Sequence, residues 1–257
     1  MIHRIQRIIP IEVTDYLRNL IQTFLFPWPE ALVLVRHAES LANYETDLIR
    51  DGVITGYTGK VKDKRDMDVE LTERGHEQAI MTGIWLRERF PEFDKYFRSP
   101  YIRTCQTSEH LYPHAHWRND ARLREKDFGV VDQLTDEEVA ARYPDLVEYK
   151  KKIKKFYLRP PGGENYPDMA FDRGHNFLGM LKRDYPRRTV VVVSHSALLM
   201  CIRFLLEKMD EETLLEKQKT EPIENASVII YRQQVIKGKS RLIPDCPPVA
   251  PWKQYLK

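Results

Sequence analysis

The chain has 257 residues, 42% of them hydrophobic, and its 41 basic and 38 acidic side chains leave a formal net charge of +3. That is enough apolar material for the core of one domain, and so even a charge balance excludes a surface that binds nucleic acid or membranes non-specifically; any preference for anions must be local. Cys105, Cys201 and Cys246 lie far apart with no CxxC pair, which argues against a disulfide framework or a zinc site and fits a cytoplasmic, reducing setting.

The N-terminus is basic but meets Glu12 and Asp15 instead of an apolar signal core, and no stretch is long enough to span a bilayer. Residues 11–25 carry Val13, Leu17, Leu20, Ile21 and Phe24 at helical spacing, ended by Pro27-Trp28-Pro29. The polar face of this helix mixes Glu12, Asp15 and Arg18, so it is expected to pack on the domain or on a neighbouring subunit, which leaves a homo-oligomer open, and not on a membrane. Residues 1–30 are read as this helical extension. Ala31-Leu-Val-Leu-Val35 follows, a run without polar alternation that reads as a strand buried on both faces and ends on Arg36-His37. Thr72 caps a helix with Glu73 in its first turn and Ala79, Ile80, Gly83 and Leu86 inward. Tyr96–Arg98 is a short strand feeding a helix from about Tyr101, and Thr135-Asp-Glu-Glu138 opens another helix as a capping box. A helix is expected from about Asp168 to Asp184. A second buried run, Thr189-Val-Val-Val-Val193, ends on Ser194-His195. A helix over Ala197–Lys208 and a strand over Ser227–Tyr231 complete the pattern. The alternation predicts one α/β domain over residues 31–234, a mostly parallel sheet covered by helices, with a C-terminal tail over 235–257.

Both histidines then stand at carboxyl ends of strands, where open α/β sheets bind ligands. A phosphoryl group needs donors on its oxygens and a nucleophile in line with the leaving oxygen. Arg36 offers a planar fork, His37 an attacking nitrogen, and Ser40 and Asn43 neutral donors from the loop beyond. Arg103, close to the start of the helix after Pro100, adds a guanidinium where free N–H groups favour anions. Glu125 and Asp127 are candidate proton donors.

With those residues in place, the chain resembles the histidine phosphatase superfamily, in the branch that includes the cofactor-dependent phosphoglycerate mutases and fructose-2,6-bisphosphatase. The Arg-His-Ala-Glu-Ser signature stands at Arg36–Ser40, with the loop asparagine at Asn43. The Leu-Thr-x-x-Gly-x-x-Gln-Ala segment matches Leu71–Ala79, and Ser-Pro-x-x-Arg-x-x-x-Thr matches Ser99–Thr107. Glu125–Gly129, the Pro161–Asn165 loop and Ser194-His195 follow in the family's order. The resemblance implies a phosphoglycerate mutase-like three-layer α/β/α sandwich and a phosphomonoester hydrolase that needs neither cofactor nor metal. It implies His37 as the nucleophile that becomes phosphohistidine and Glu125 as the acid. Arg36, Arg103 and His195 would bind the transferring group with Asn43 assisting, and the substrate would be a small phosphorylated metabolite.

Other functions stay in view. A mutase would share the core residues, but the segment between Glu125 and the Pro161 loop is shorter than the mutases' long insertion. Asp132-Gln-Leu-Thr135 with Glu137, Tyr143 and Pro144 is more similar to the bisphosphatases, although Asp132-Gln133 departs from their Gly after the acid. A catalytically silent interaction module on the same fold is the remaining alternative. Lys150, Lys151, Lys152, Lys154, Lys155 and Arg159 crowd the approach to the Pro160-Pro-Gly-Gly-Glu164 loop, as a solvated face or a contact for a second anion. Asp66-Met-Asp68 and Gly52–Lys60 read as loops, and His114-x-His116 lacks the further ligands a metal needs.

Overall fold

The computed structural model describes residues 27–255, so the helix expected over residues 11–25 lies outside the described residues. Six strands form one sheet: β1 (Ala31–Arg36), β2 (Lys95–Arg98), β3 (Arg118–Asn119), β4 (Thr189–Ser194), β5 (Val228–Ile236) and β6 (Lys239–Pro244). Their order is β3-β2-β4-β1-β5-β6. β1, β2, β3 and β4 run parallel, and β5 and β6 join antiparallel, so the sheet is mixed. Helices α1 (Leu41–Arg50), α2 (Gly59–Lys62), α3 (Glu73–Arg89), α4 (Ile102–Leu111), α5 (Asp136–Arg142), α6 (Pro144–Lys152), α7 (His175–Asp184), α8 (Ser196–Glu207) and α9 (Glu211–Thr220) connect or cover the strands.

The two apolar runs explain the three layers. Successive strand side chains point to opposite faces. Leu32, Leu34, Val190 and Val192 meet Phe177 and Leu181 of α7 and Leu198 and Ile202 of α8. Val33, Val35, Val191 and Val193 meet Trp85 and Leu86 of α3 and Leu111 of α4. All eight strand residues are fully buried, each contributing about 1.5–3 kcal/mol relative to exposure. None could be polar without a partner, which is why alternation is missing.

The cap assignments at Thr72 and Thr135 hold: each side chain accepts from a backbone N–H of its helix, and Thr135 forms a full capping box with Glu138. Gly75 sits where α3 presses on the Glu39 backbone, since a Cβ there would lie 2.1 Å from the Glu39 carbonyl oxygen. Ile80, expected inward, is instead exposed, with Ala79, Gly83 and Leu86 taking the buried face. The helix expected from Asp168 begins as a π-helical turn over Asp168–Gly174 before α7. The expected boundary at 234 falls inside β5. Lys237 and Gly238 both have positive φ, 51° and 70°, as a two-residue hairpin turn requires, and they return the chain as β6. Val249 then bridges Val228 and Trp252 is buried, so most of the expected tail is built into the domain. Among the described residues, no helix is long and apolar enough to cross a membrane.

Candidate active site

Strand register brings the separated motifs together. β1 and β4 pair Arg36 with Ser194, so His37 and His195 leave neighbouring strands at the same edge, and the His37 N–H donates to the Ser194 carbonyl at 2.9 Å. β2 pairs Arg98 with Val193, which delivers Ser99 and then Arg103 to that edge. Antiparallel β5 arrives from the other direction, so Asn225 and Ala226, just before it, also reach the site; the Ala226 N–H donates to the His37 carbonyl at 3.2 Å. The Ala38 N–H donates to the Thr107 hydroxyl, which donates to the Arg103 carbonyl, tying the loop after β1 to α4.

The two imidazoles lie 5.1 Å apart at 61°, and their surroundings keep both neutral. Burial first, then the charges of Arg103 and Arg36, hold His37 well below its ordinary pKa; for His195, His37 contributes as well. A neutral ring carries one hydrogen. His37 Nδ1 lies 2.7 Å from the Ala38 carbonyl, an acceptor only, so Nδ1 holds the hydrogen and Nε2 keeps its lone pair. At His195, Nε2 lies 2.9 Å from the Ser99 hydroxyl, a group that can donate or accept; where it donates, the ring hydrogen is on Nδ1. Nδ1 is buried and unpartnered, so it is the ring atom left to meet a ligand.

Glu125 Oε2 stands 3.8 Å from that Nδ1. Loss of hydration raises its pKa, against the Lys126 N–H and the charge of Arg103. The segment that carries it is held from behind by Arg173, 6% exposed. This guanidinium donates to the carbonyls of Arg122, Arg124 and Glu125 and to Glu164 Oε2, at 2.7–3.2 Å. Glu164 in turn accepts from the Asp127 N–H and from Arg124. Gly129 completes the contact: its φ is +55°, and a Cβ would lie 2.2 Å from the Pro161 carbonyl oxygen.

Asn43 is fixed by its oxygen. Oδ1 accepts from the Ser40 N–H, the Ser40 hydroxyl and Asn225 Nδ2 at 3.2, 3.1 and 2.9 Å, which leaves the Nδ2 donors for a ligand. Ser40, expected as a second donor to substrate, is the N-cap of α1 with its hydroxyl hydrogen committed to Asn43. A hydroxyl has a single hydrogen to donate, so a contact to substrate would compete with this cap bond. Arg36 keeps Nε buried and unpartnered while NH1 donates to the Ile223 carbonyl at 2.8 Å. Arg103, 4% exposed, is held by the Asp66 carboxylate at 3.0 and 3.1 Å.

Asp66, Ser99, Arg173 and Asn225 were therefore not assigned these parts from sequence. Ser99 opens a quoted motif and Arg173 lies in the helix expected from Asp168, but Asp66 and Asn225 carry no local signal. Four members of the basic run are held in ion pairs, Lys150 with Asp136, Lys151 with Glu148, Lys154 with Glu211 and Arg159 with Asp168, while Lys155 donates to Gln218 and its charge reaches Lys126, the neighbour of Glu125. Asp127 accepts from the Gly129 N–H, a turn contact that leaves Glu125 as the carboxyl beside the imidazoles. Among the described residues, the group of ligand atoms close enough to hold a metal is His37, Glu125 and His195. The guanidiniums that depress both imidazoles set its potential for an anion instead.

Fold and site together define an α/β protein that gathers two buried imidazoles, two guanidiniums and a carboxyl at the carboxyl edge of its sheet. Residues 32–242 match the model of the histidine phosphatase superfamily, branch 1, and the chain belongs to that family. It is 30% identical over 216 residues to 6-phosphofructo-2-kinase/fructose-2,6-bisphosphatase 3 of Bos taurus, covering 82% of this chain and 40% of that protein. To the Mus musculus 6-phosphofructo-2-kinase/fructose-2,6-bisphosphatase 1 it is 29% identical over 214 residues, 82% of this chain and 39% of that one. The chain thus spans about two fifths of the length of these relatives. Among solved structures it is similar to mycobacterial glucosyl-3-phosphoglycerate phosphatase in complex with inorganic phosphate (TM-score 0.62, 22% identity, 87% of this chain and 99% of that one). It is also similar to the α-ribazole phosphatase of Shigella flexneri (TM-score 0.64, 19% identity, 83% and 95%); at these identities the likeness is one of fold.

Proposed function

We propose that this chain is a phosphomonoester hydrolase that works through a phosphohistidine on a small phosphorylated metabolite. The observation that carries the reading is two buried imidazoles facing one site beside Glu125: His37, whose Nδ1 lies against the Ala38 carbonyl and leaves Nε2 a free lone pair, and His195, whose buried Nδ1 is unpartnered. In the first step Nε2 of His37 attacks phosphorus as the bond to the leaving oxygen breaks, and Glu125, whose protonated form burial favours, gives that oxygen its proton. In the second, Glu125 takes a proton from water, whose oxygen attacks phosphorus and releases His37. Arg36, Arg103, His195 Nδ1 and Asn43 Nδ2 bind the non-bridging oxygens and offset charge that grows in the transition state. The balance of the site toward anions supports metal-independent chemistry, and the three free cysteines support a cytoplasmic location.

The names of the relatives support hydrolysis over relocation. The test is a panel of phosphorylated sugars, glycerates and nucleotides, scored for both phosphate release and phosphoryl relocation, with and without chelator. Release that survives chelator and vanishes in His37→Ala is expected. Relocation without release makes the protein a mutase, and a divalent-ion requirement overturns the mechanism.

A further inference from the structure

The ring of Tyr101 touches two of the groups assigned to the phosphoryl group. Its backbone is fixed on both sides: the N–H donates to the Ser99 hydroxyl, and the carbonyl accepts from the Thr104 and Cys105 N–H groups as the first turn of α4 closes. The side chain is half-buried and does not cap the helix. Among the described residues its hydroxyl makes no hydrogen bond. Burial, and then the charge of Asp66, push the phenol up to about 12, so the ring is uncharged at neutral pH. What the ring meets is the site: the Arg103 guanidinium carbon lies 4.9 Å from its centroid, and the His195 ring is 5.0 Å away at 68°.

Each contact fixes a freedom that the other neighbours leave open. Asp66 grips Arg103 end-on, its carbonyl and one carboxylate oxygen taking Nη1 and the second oxygen taking Nη2, with the carboxylate contacts at 3.0 and 3.1 Å. That grip leaves the guanidinium plane able to tilt about the line joining the two groups, and a ring laid against its face sets the tilt. Nε–H and the second Nη2 hydrogen point the same way in that plane and have no partner among the described residues, so they form the edge left for a phosphoryl oxygen. At His195, the contact between Nε2 and Ser99 sets one point of the ring. The Tyr101 ring, with the His37 ring 5.1 Å away at 61°, confines the tilt of the imidazole plane, on which the direction of Nδ1 depends.

We propose that Tyr101 is a positioning residue of this site: its ring holds Arg103 and His195 so that the guanidinium edge and His195 Nδ1 point at the same phosphoryl group, and its hydroxyl is dispensable. The proposal rests on the reading in which Arg103 and His195 bind that group. A ring suits the task, with two side-chain torsions on a backbone that the start of α4 already holds, and a small misplacement of either donor slows the chemistry.

The test compares Tyr101→Phe, which keeps the ring, with Tyr101→Leu, which removes it, in hydrolysis of p-nitrophenyl phosphate and in competitive inhibition by inorganic phosphate. The Phe enzyme is expected within about twofold of wild type in both. The Leu enzyme is expected to lose about tenfold or more in kcat/KM, the scale of a desolvated cation–π contact and an aromatic pair together, and to bind inorganic phosphate more weakly. Tyr101→Met, whose flexible chain fills irregular gaps, carries the same expectation if the Leu enzyme does not fold. Coupling separates positioning from mere stability. In an Arg103→Lys background, which has no planar fork to tilt, Tyr101→Leu should cost about threefold or less, whereas a ring that only stabilises costs the same in both backgrounds. A Phe enzyme as poor as the Leu enzyme, Leu and Met enzymes within about twofold of wild type, or an equal loss in both backgrounds overturns the proposal while the reading of the site stands. Full activity of both Arg103→Ala and His195→Ala overturns that reading, and the proposal with it.

Discussion

Replacing Ser99 by Ala removes one hydroxyl, buried at 0% exposure, and tests how His195 is made into a donor. The lost contacts are the 2.9 Å bond to His195 Nε2 and the longer one from the Tyr101 N–H. A neutral hydrogen bond of this kind is worth about 0.5–1.5 kcal/mol of stability, so Tm should fall by only a few degrees. Function should suffer more. Without Ser99 the neutral ring can place its hydrogen on either nitrogen, and the form with hydrogen on Nδ1 loses about 1–2 kcal/mol of preference, or about 5- to 30-fold in kcat/KM. His195→Ala, which removes the donor itself, should cost about 100- to 1,000-fold. Steady-state hydrolysis of p-nitrophenyl phosphate by the two variants, with circular dichroism to confirm folding, reads the difference. A Ser99→Ala enzyme within about twofold of wild type, beside a crippled His195→Ala enzyme, would refute the tautomer argument.

The same geometry sets further expectations. Arg173→Met strips a hydrogen-bonded guanidinium from three carbonyls and Glu164, and should cost about 3–5 kcal/mol in denaturant unfolding; where it folds, kcat should fall more than KM rises, since Glu125 loses its positioning. An unchanged kcat would show that Arg173 only stabilises. Asn225→Asp turns a donor toward Asn43 Oδ1 into an acceptor, and should weaken competitive inhibition by inorganic phosphate more than Asn225→Ala does; the reverse order would contradict the assigned Asn43 orientation. In the pH profile of kcat/KM, activity should rise through the depressed pKa of His37 and fall through the raised pKa of Glu125, and a profile without the alkaline limb would contradict the role of Glu125 as acid. For stability, His37 and His195 have folded pKa values below their unfolded ones. Their contribution is present above 6.5 and lost as pH falls through the folded values, while Glu125, shifted upward, opposes this with one group against two. Thermal melts should therefore drop on acidification below 6.5, and a rise there would reverse the sign of the argument.

Much of the site was legible because its chemistry sits at the ends of strongly patterned elements. Val35 and Val193 end runs that only a doubly covered strand can bury, so His37 and His195 had to meet at an edge once the strands paired. Arg103 was legible from its helix start. The parts that escaped depend on contacts across long stretches of chain. Asp66 stands between charged neighbours and reads as solvated loop, and its meaning appears only when Arg103 arrives from 37 positions away. Asn225 lies in no motif and reaches Asn43 because β5 runs antiparallel to β1. β6 was missed because Lys239-Ser-Arg-Leu-Ile-Pro244 buries little more than Leu242, so an edge strand wrote too weak an apolar pattern. Ser40 shows what a motif alone does not display: its hydroxyl hydrogen also serves the local cap.

The central claim is that His37 carries the phosphoryl group between the two half-reactions. Rapid mixing with radiolabelled p-nitrophenyl phosphate, quenched and digested, measures it directly. The account predicts label that survives alkali, is lost in acid, maps to the peptide containing His37 and is absent from His37→Ala. Undiminished hydrolysis by the His37→Ala enzyme, or label on a different residue, would contradict it.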